Sequence, residues 1–234
     1  MRVMTMKKTE DEIAADESRF VNYRFTSSSY AYLNSNIKRI MDITGALMGI
    51  MLGFPIFLAS AFIVKTIDQV PVIFHQERYG FKGKPFRFIK LRTLKIIESR
   101  EEIQIERLQY KPEYETTRTG KIWRVTSIDE IIQFWLVLKG EMSLIGHRPL
   151  PIYYINYLHK ISGMDKPRLN HYLNIISQFK PGMSSLSAIN GRGDLTMQQK
   201  MTYDLIYAQN ASLLFDIKIL LQTIIVVITR KGAK

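Results

Sequence analysis

The chain has 234 residues, enough for one domain with a real core. Its apolar content of 46% excludes disorder of the whole chain, and the absence of cysteine excludes disulfides, thiolate metal sites and thiol nucleophiles. A net charge of +12 calls for an anionic partner (nucleic acid, an anionic membrane surface or a phosphorylated substrate), while four scattered histidines without HExxH spacing argue against zinc.

Residues 1–36 mix charge with Ser and Tyr and lack the apolar run of a signal peptide, which predicts a mobile cytoplasmic tail ahead of a single unit over 37–234. From Ile43 to Val64 no residue is charged, a stretch of 22 residues that is long enough to cross a bilayer. Pro55 near its middle removes a helix hydrogen bond, and Gly45, Gly49 and Gly53 loosen the half before it. Lys38 and Arg39 precede the segment and Lys65, Arg78, Lys82, Lys84, Arg87, Lys90 and Arg92 follow it, so the positive-inside tendency places both ends on the cytoplasmic face. A re-entrant helix broken at Pro55 satisfies both observations; one spanning helix and a buried core helix are the alternatives.

Val72–Gln76 and Phe86–Leu91 read as strands joined by a Gly80–Pro85 turn, a hairpin whose tip lysines, Lys82 and Lys84, serve either solubility or lipid headgroups. A charged amphipathic helix is expected over about 94–110, and a helix over 128–138 with Ile131, Phe134, Trp135 and Leu138 on its core face. Tyr153, Tyr154, Tyr157 and Tyr172 at helical spacing suit core or rim positions. Asn190-Gly191-Arg192-Gly193-Asp194 is a turn whose arginine can meet an anion. The end of the chain sets Leu213, Leu214, Ile217, Leu220, Leu221, Ile224, Ile225 and Ile228 on one helical face, an amphipathic pattern that packs or lies flat.

The chemistry concentrates at Asp129-Glu130. Ser127 and Glu130 have the spacing of a capping box, the bland explanation of such a sequence. Adjacent helical residues point about 100° apart, however, so the two acids suit separate tasks, one as nucleophile or proton carrier and one as metal ligand. Arg124 before them and Arg148-Pro149 after them can grip a phosphate. A helix start between two arginines is expected to lower the pKa of Asp129 and keep it ionised.

Taken in order, these residues resemble the bacterial sugar transferase family, the small monotopic polyprenyl-phosphate phosphoglycosyl transferases. The resemblance runs from about Lys38 to Gly232. It is carried by Lys38-Arg39-x-x-Asp42, Pro55, Gln76-Glu-Arg78-x-Gly80, Lys90-x-Arg92-Thr93, Thr117-Arg118-x-Gly120, Arg124, Thr126-Ser127-x-Asp129-Glu130-x-x-Gln133, Leu138–Leu144, Gly146-x-Arg148-Pro149, Pro181-Gly182, Asn190-Gly191-Arg192, Asp204, Tyr207 and Asp216. His147, Phe54, Ile131-Ile132 and Ser184-Ser185 depart from the family's pattern.

The resemblance implies an α+β, mostly helical monotopic membrane protein with a re-entrant hairpin, a small β-hairpin and amphipathic interfacial helices, on the cytoplasmic face of the bacterial inner membrane. It implies transfer of a sugar 1-phosphate from a nucleoside diphosphate sugar to polyprenyl phosphate, with Asp129 as covalent nucleophile and Glu130 holding Mg²⁺. Arg78, Arg92, Arg124, Arg148, Pro149, Asn190 and Arg192 would bind substrate, and Lys38, Arg39, Asp42 and Pro55 would shape the membrane segment. Membrane lipids are expected partners, nucleic acid is not, and a homodimer suits so small a domain. The rival reading is a non-catalytic membrane-anchored scaffold of a polysaccharide assembly.

Overall fold

The computed structural model describes residues 22–95, 116–155 and 157–229, so most of the expected tail and of the charged helix over 94–110 lies outside the described residues. Helix α1 (Ser27–Leu33) begins in a capping box between Thr26 and Ser29. Tyr23, just before it, is buried in the main core. Residues 22–36, placed in the tail by sequence, are therefore folded.

Helix α2 (Asn36–Ile63) starts at Ser35, whose hydroxyl accepts from the Lys38 amide, and continues through Pro55 without interruption into a wider turn over Val64–Asp68. Its glycines do more than loosen the helix. A Cβ at Gly45 would meet Leu144, one at Gly49 would strike the Phe134 ring, and one at Gly53 would meet Ile131. Spaced four apart, they form a smooth stripe that lets another helix approach closely. The opposite face, with Met51 73% and Phe62 70% exposed, has no protein partner among the described residues. Only 17% of the most apolar window of this helix is buried.

Strands β1 (Ile73–Tyr79) and β2 (Pro85–Leu91) form the expected antiparallel hairpin, with Ile73 opposite Leu91. Lys82 and Gly83 take positive φ at its tip. Next come α3 (Gly120–Thr126), a 3-10 turn over Ile128–Glu130, and α4 (Gln133–Lys139). The expected helix over 128–138 is thus split, because Ser127 adopts the left-handed conformation (φ 57°) and makes no capping bond. Trp135, assigned to the core face, is 51% exposed, while Leu136 and Val137 are buried in its place.

Strand β3 (Ser143–Ile145) leads to α5 (Ile152–Ile155), α6 (Leu158–Ser162) and α7 (Lys166–Ile176). Strand β4 (Gly182–Ser184) then returns parallel to β3, a pairing too short to read from periodicity. Gly146 and Gly182 allow it, since a Cβ on either would collide with the other strand's backbone. The Lys82 amide donates to the Ser177 carbonyl at 2.7 Å, so the hairpin tip docks on the end of α7. Helix α8 (Leu186–Ile189), a turn over Arg192–Asp194, α9 (Met197–Asn210) and α10 (Leu213–Thr229) complete the chain.

Helix α10 turns Asp216 and Ile219 inward and leaves an apolar face exposed. Asp216 is fully buried, while Leu214 is 79% and Ile228 is 73% exposed. The Asp216 carboxylate accepts from Lys38 Nζ at 2.6 Å and from the Tyr32 and Tyr207 hydroxyls at 2.8 Å each. Lys38 also donates to the Ile145 carbonyl at 3.0 Å and to Asp42 at 3.4 Å, and Asp42 accepts from Ser143 Oγ and the Leu144 amide. Arg39 donates to the carbonyls of Val137 and Leu138, at 2.6 Å each, and so caps the end of α4. Lys38, one of the two cations ahead of the membrane segment, is thus neutralised by buried carboxylates, whereas the two carbonyls leave the charge of Arg39 uncompensated.

Candidate active site

The acidic pair lies on the 3-10 turn between α3 and α4, where β2 crosses it. Glu130 lines a cavity of about 140 Å³. The same wall holds Arg78, Lys90, Ser127, Gln133, Arg148 and Arg192, and α10 closes the far side with Thr223, Val226 and Val227. Asp129 is 4% exposed and sits beside this wall, with Lys90 Nζ 4.0 Å from its Oδ2.

Burial governs the charges here. It raises Asp129 to about 6, with Glu130 adding to the rise and Lys90 and Arg124 opposing it. The expected downward shift is therefore wrong in sign. Desolvation exceeds the pull of the cations, and no capped helix start is present to help them. Burial also lowers Lys90, against the pull of Asp129 and Glu130. Burial and the nearby Arg148 lower the Arg78 guanidinium, which remains charged at neutral pH.

Three donors in this wall are buried without a partner: Arg78 Nε, Gln133 Nε2 and Arg192 Nη1. A buried donor left unpaired costs about 1–3 kcal/mol, so a wall with three of them is built for acceptors that arrive with a ligand. Arg78 is otherwise fixed, donating to the Pro149 carbonyl at 2.9 Å and to Gln76 Oε1 at 3.2 Å, with its Cζ 3.8 Å above the Phe88 ring. Arg192 donates to Ser127 Oγ at 2.8 Å. Both residues have positive φ, 49° and 57°, so two strained non-glycine residues are bonded to each other at the edge of the site.

Of the residues singled out by sequence, Glu130, Arg78, Arg148, Pro149 and Arg192 line the cavity. Arg124 acts on Asp129 through its charge and lies outside the lining. Two do not belong. Arg92 lies past the end of β2 and turns away to the carbonyls of Pro71 and Ile73, and Asn190 donates to the Leu186 carbonyl at the end of α8. Lys90 and Gln133 were in the motifs but not counted as site residues. The period-2 alternation of β2 could have assigned Lys90, since it shares a face with buried Phe88. His147 is fully buried, with Nδ1 3.1 Å from the Arg148 carbonyl and its ring edge-on to Phe179.

No group of three or more acidic or histidine side chains gathers among the described residues. Two adjacent carboxylates beside an anion-seeking wall fit a magnesium ion, which takes one or two carboxylates and completes its shell with substrate phosphates and water.

The family model described as bacterial sugar transferase matches residues 33–230. The galactosyl transferase CpsE of Streptococcus agalactiae is 36% identical over 90% of this chain and 46% of its own length. A UDP-glucose:undecaprenyl-phosphate glucose-1-phosphate transferase of Klebsiella pneumoniae is 35% identical over 82% of this chain and 40% of its own. One of the same description from Caulobacter vibrioides is 33% identical over 84% of this chain and 71% of its own. The chain thus spans less than half the length of the first two relatives.

Proposed function

The chain belongs to the bacterial sugar transferase family, and from that premise we propose that it transfers a sugar 1-phosphate from a nucleoside diphosphate sugar to polyprenyl phosphate. The observation that carries this reading is the cavity wall with Arg78, Lys90, Arg148 and Arg192 around Asp129-Glu130, including three buried donors without partners. A scaffold has no use for such donors; a diphosphate supplies oxygens for all of them.

In the first step an Asp129 oxygen bonds to the β-phosphorus as the bond to the α-phosphate oxygen breaks, which releases a nucleoside monophosphate. In the second, a phosphate oxygen of the lipid bonds to the same phosphorus, and the bond to Asp129 breaks. Asp129 is regenerated and a polyprenyl diphosphate sugar departs. Arg78, Arg148 and Arg192 hold the phosphate oxygens, where charge-assisted bonds are roughly twice as strong as neutral ones. Glu130 would hold Mg²⁺, which when bound neutralises phosphate charge and makes the phosphorus easier to attack. With a value of about 6, Asp129 is mainly ionised at pH 7 and competent to attack. UDP-sugars are the expected donors, in keeping with the relatives' names.

The membrane placement proposed here rests on α2 and α10. Both ends of α2 are bonded to one folded body: Lys38 to Ile145 and Asp216, and Asp68 to the Thr119 amide and hydroxyl at 3.1 and 2.6 Å. At 1.5 Å per residue the helix through Asp68 is about 50 Å long, against about 30 Å of hydrocarbon. A helix tied at both ends to one body lies within a single leaflet more easily than across two, which supports the re-entrant reading, and the basic residues Lys65, Lys82, Lys84 and Arg87 that follow it favour the cytoplasmic side of the inner membrane. Helix α10 then forms a partition, with Thr223, Val226 and Val227 towards the cavity and Ile224, Ile225 and Ile228 towards lipid. The lipid acceptor can reach the site without its tail leaving the bilayer.

The test is to supply UDP-sugar and Mg²⁺ without lipid acceptor. About one UMP per active site should be released, with the mass of a phosphosugar gained on the peptide containing Asp129. Turnover that strictly needs both substrates together, with no adduct after quenching, would replace the covalent route with direct transfer.

A further inference from the structure

A second cavity, of about 250 Å³, opens at the start of α2 and shares no lining residue with the first. Its walls include Lys38, Arg39, Asp42, Phe81 and Lys180. At about 30 Å³ per water it has room for roughly eight waters, enough for a phosphate group and its substituents.

The charges in it are unbalanced. Asp42 is already engaged by Lys38, Ser143 and the Leu144 amide. Arg39 spends two of its five N–H donors on the carbonyls of Val137 and Leu138. Lys180 takes part in no ion pair among the described residues. Both Lys180 Nζ and Arg39 Nη2 lie over Gly140, 3.5 and 3.6 Å from the point where its Cβ would be, so the two cations are at most about 7 Å apart. Burial and Arg39 lower Lys180, Asp42 opposes them and Lys38 adds to the fall, the net direction expected where cations crowd. Ile37 and Ile40, on the same turns of α2, are 58% and 61% exposed, so the cavity borders an apolar surface.

We propose that this cavity binds the phosphate of an anionic phospholipid headgroup, bridged by Lys180 and Arg39, and so fixes the depth at which α2 enters the bilayer. The proposal rests on the membrane-seated reading above. A free phosphate has the same chemistry, but the exposed isoleucines beside the cavity favour a phosphate that carries acyl chains.

The full chain should be floated with vesicles of phosphatidylcholine alone and with added phosphatidylglycerol, and native mass spectrometry should count the lipids retained. Failure to float with either vesicle would sink the membrane reading itself. If that reading holds, wild type retains phosphatidylglycerol in preference to phosphatidylcholine. Lys180→Gln weakens the retention roughly fivefold, the factor that corresponds to about 1 kcal/mol per basic residue at an anionic surface. Lys180→Arg restores it, and UMP release in detergent is the same for all three proteins. Equal retention of both lipids by wild type, unchanged retention in Lys180→Gln, or displacement of the lipid by millimolar inorganic phosphate would each overturn the assignment.

Discussion

At the scale of single residues, burial and charge compete at Asp129, and burial prevails. Because the folded value of about 6 is raised above the ordinary 3.8, the ionised carboxylate is penalised in the fold. The associated stability is fully present below about 3.8 and is lost as pH rises through about 6. Asp129→Asn should therefore raise the thermal midpoint more at pH 8 than at pH 4.5, while abolishing UMP release and leaving vesicle binding intact. Wild-type activity should climb through an acid limb near pH 6. Lys90→Met removes a cation 4.0 Å from the carboxylate, so that limb should move to higher pH, a shift that simple loss of stability would not produce. Glu130→Gln keeps size and removes charge; activity should fall by orders of magnitude and lose its dependence on magnesium concentration. Normal turnover at low magnesium would show that Glu130 has no part in holding the ion. The order of the motifs and most of the cavity's cations were legible in the sequence. The sign of the Asp129 shift was not, because desolvation depends on what other segments bring over the turn. Nor was the left-handed conformation of Ser127, since its spacing from Glu130 is also that of a capping box.

At the scale of elements, the apolar segment and the hairpin follow from composition and alternation, and both are observed. The use of the glycines required the partner to be known. Gly45, Gly49 and Gly53 look like helix-weakening residues until Leu144, Phe134 and Ile131 are seen against them. Gly49→Val should force α2 off α4 and cost about 1–3 kcal/mol, the usual penalty of overpacking, read as a lower thermal midpoint in detergent. The buried side of α10 shows the same limit of sequence reading. Its apolar residues were assigned correctly to one face, but only the buried Lys38 and its tyrosine neighbours reveal that this face points outward. Breaking that buried pair by Lys38→Met leaves carboxylates uncompensated and should cost about 3–5 kcal/mol.

At the scale of the whole molecule, a single body holds both ends of a 33-residue helical span, Asn36–Asp68, with an apolar middle. Because the chain has no native cysteine, single cysteines at Asn36 and Lys65 would report its topology cleanly. Both should resist an impermeant reagent added from outside the cell, and labelling of one alone would contradict the re-entrant reading. The pairing of β3 with β4 reaches further than its size suggests. It clamps Ser143–Ile145 to Gly182–Ser184, and the Tyr79 amide pins the intervening segment again by donating to the Leu150 carbonyl at 2.8 Å. Everything between Pro151 and Pro181 is thereby a closed excursion whose ends are fixed independently of its length. Its helices supply core residues such as Tyr172 and Ile176, so inserted sequence is tolerated only at the connections between them, where lengthening a flexible loop costs about 0.6 kcal/mol per doubling. Gly163, where an added Cβ would meet nothing within 4 Å, marks one such connection. A small folded reporter spliced in there should leave UMP release intact, so the chemistry and a displayed module can be joined in one chain at this point.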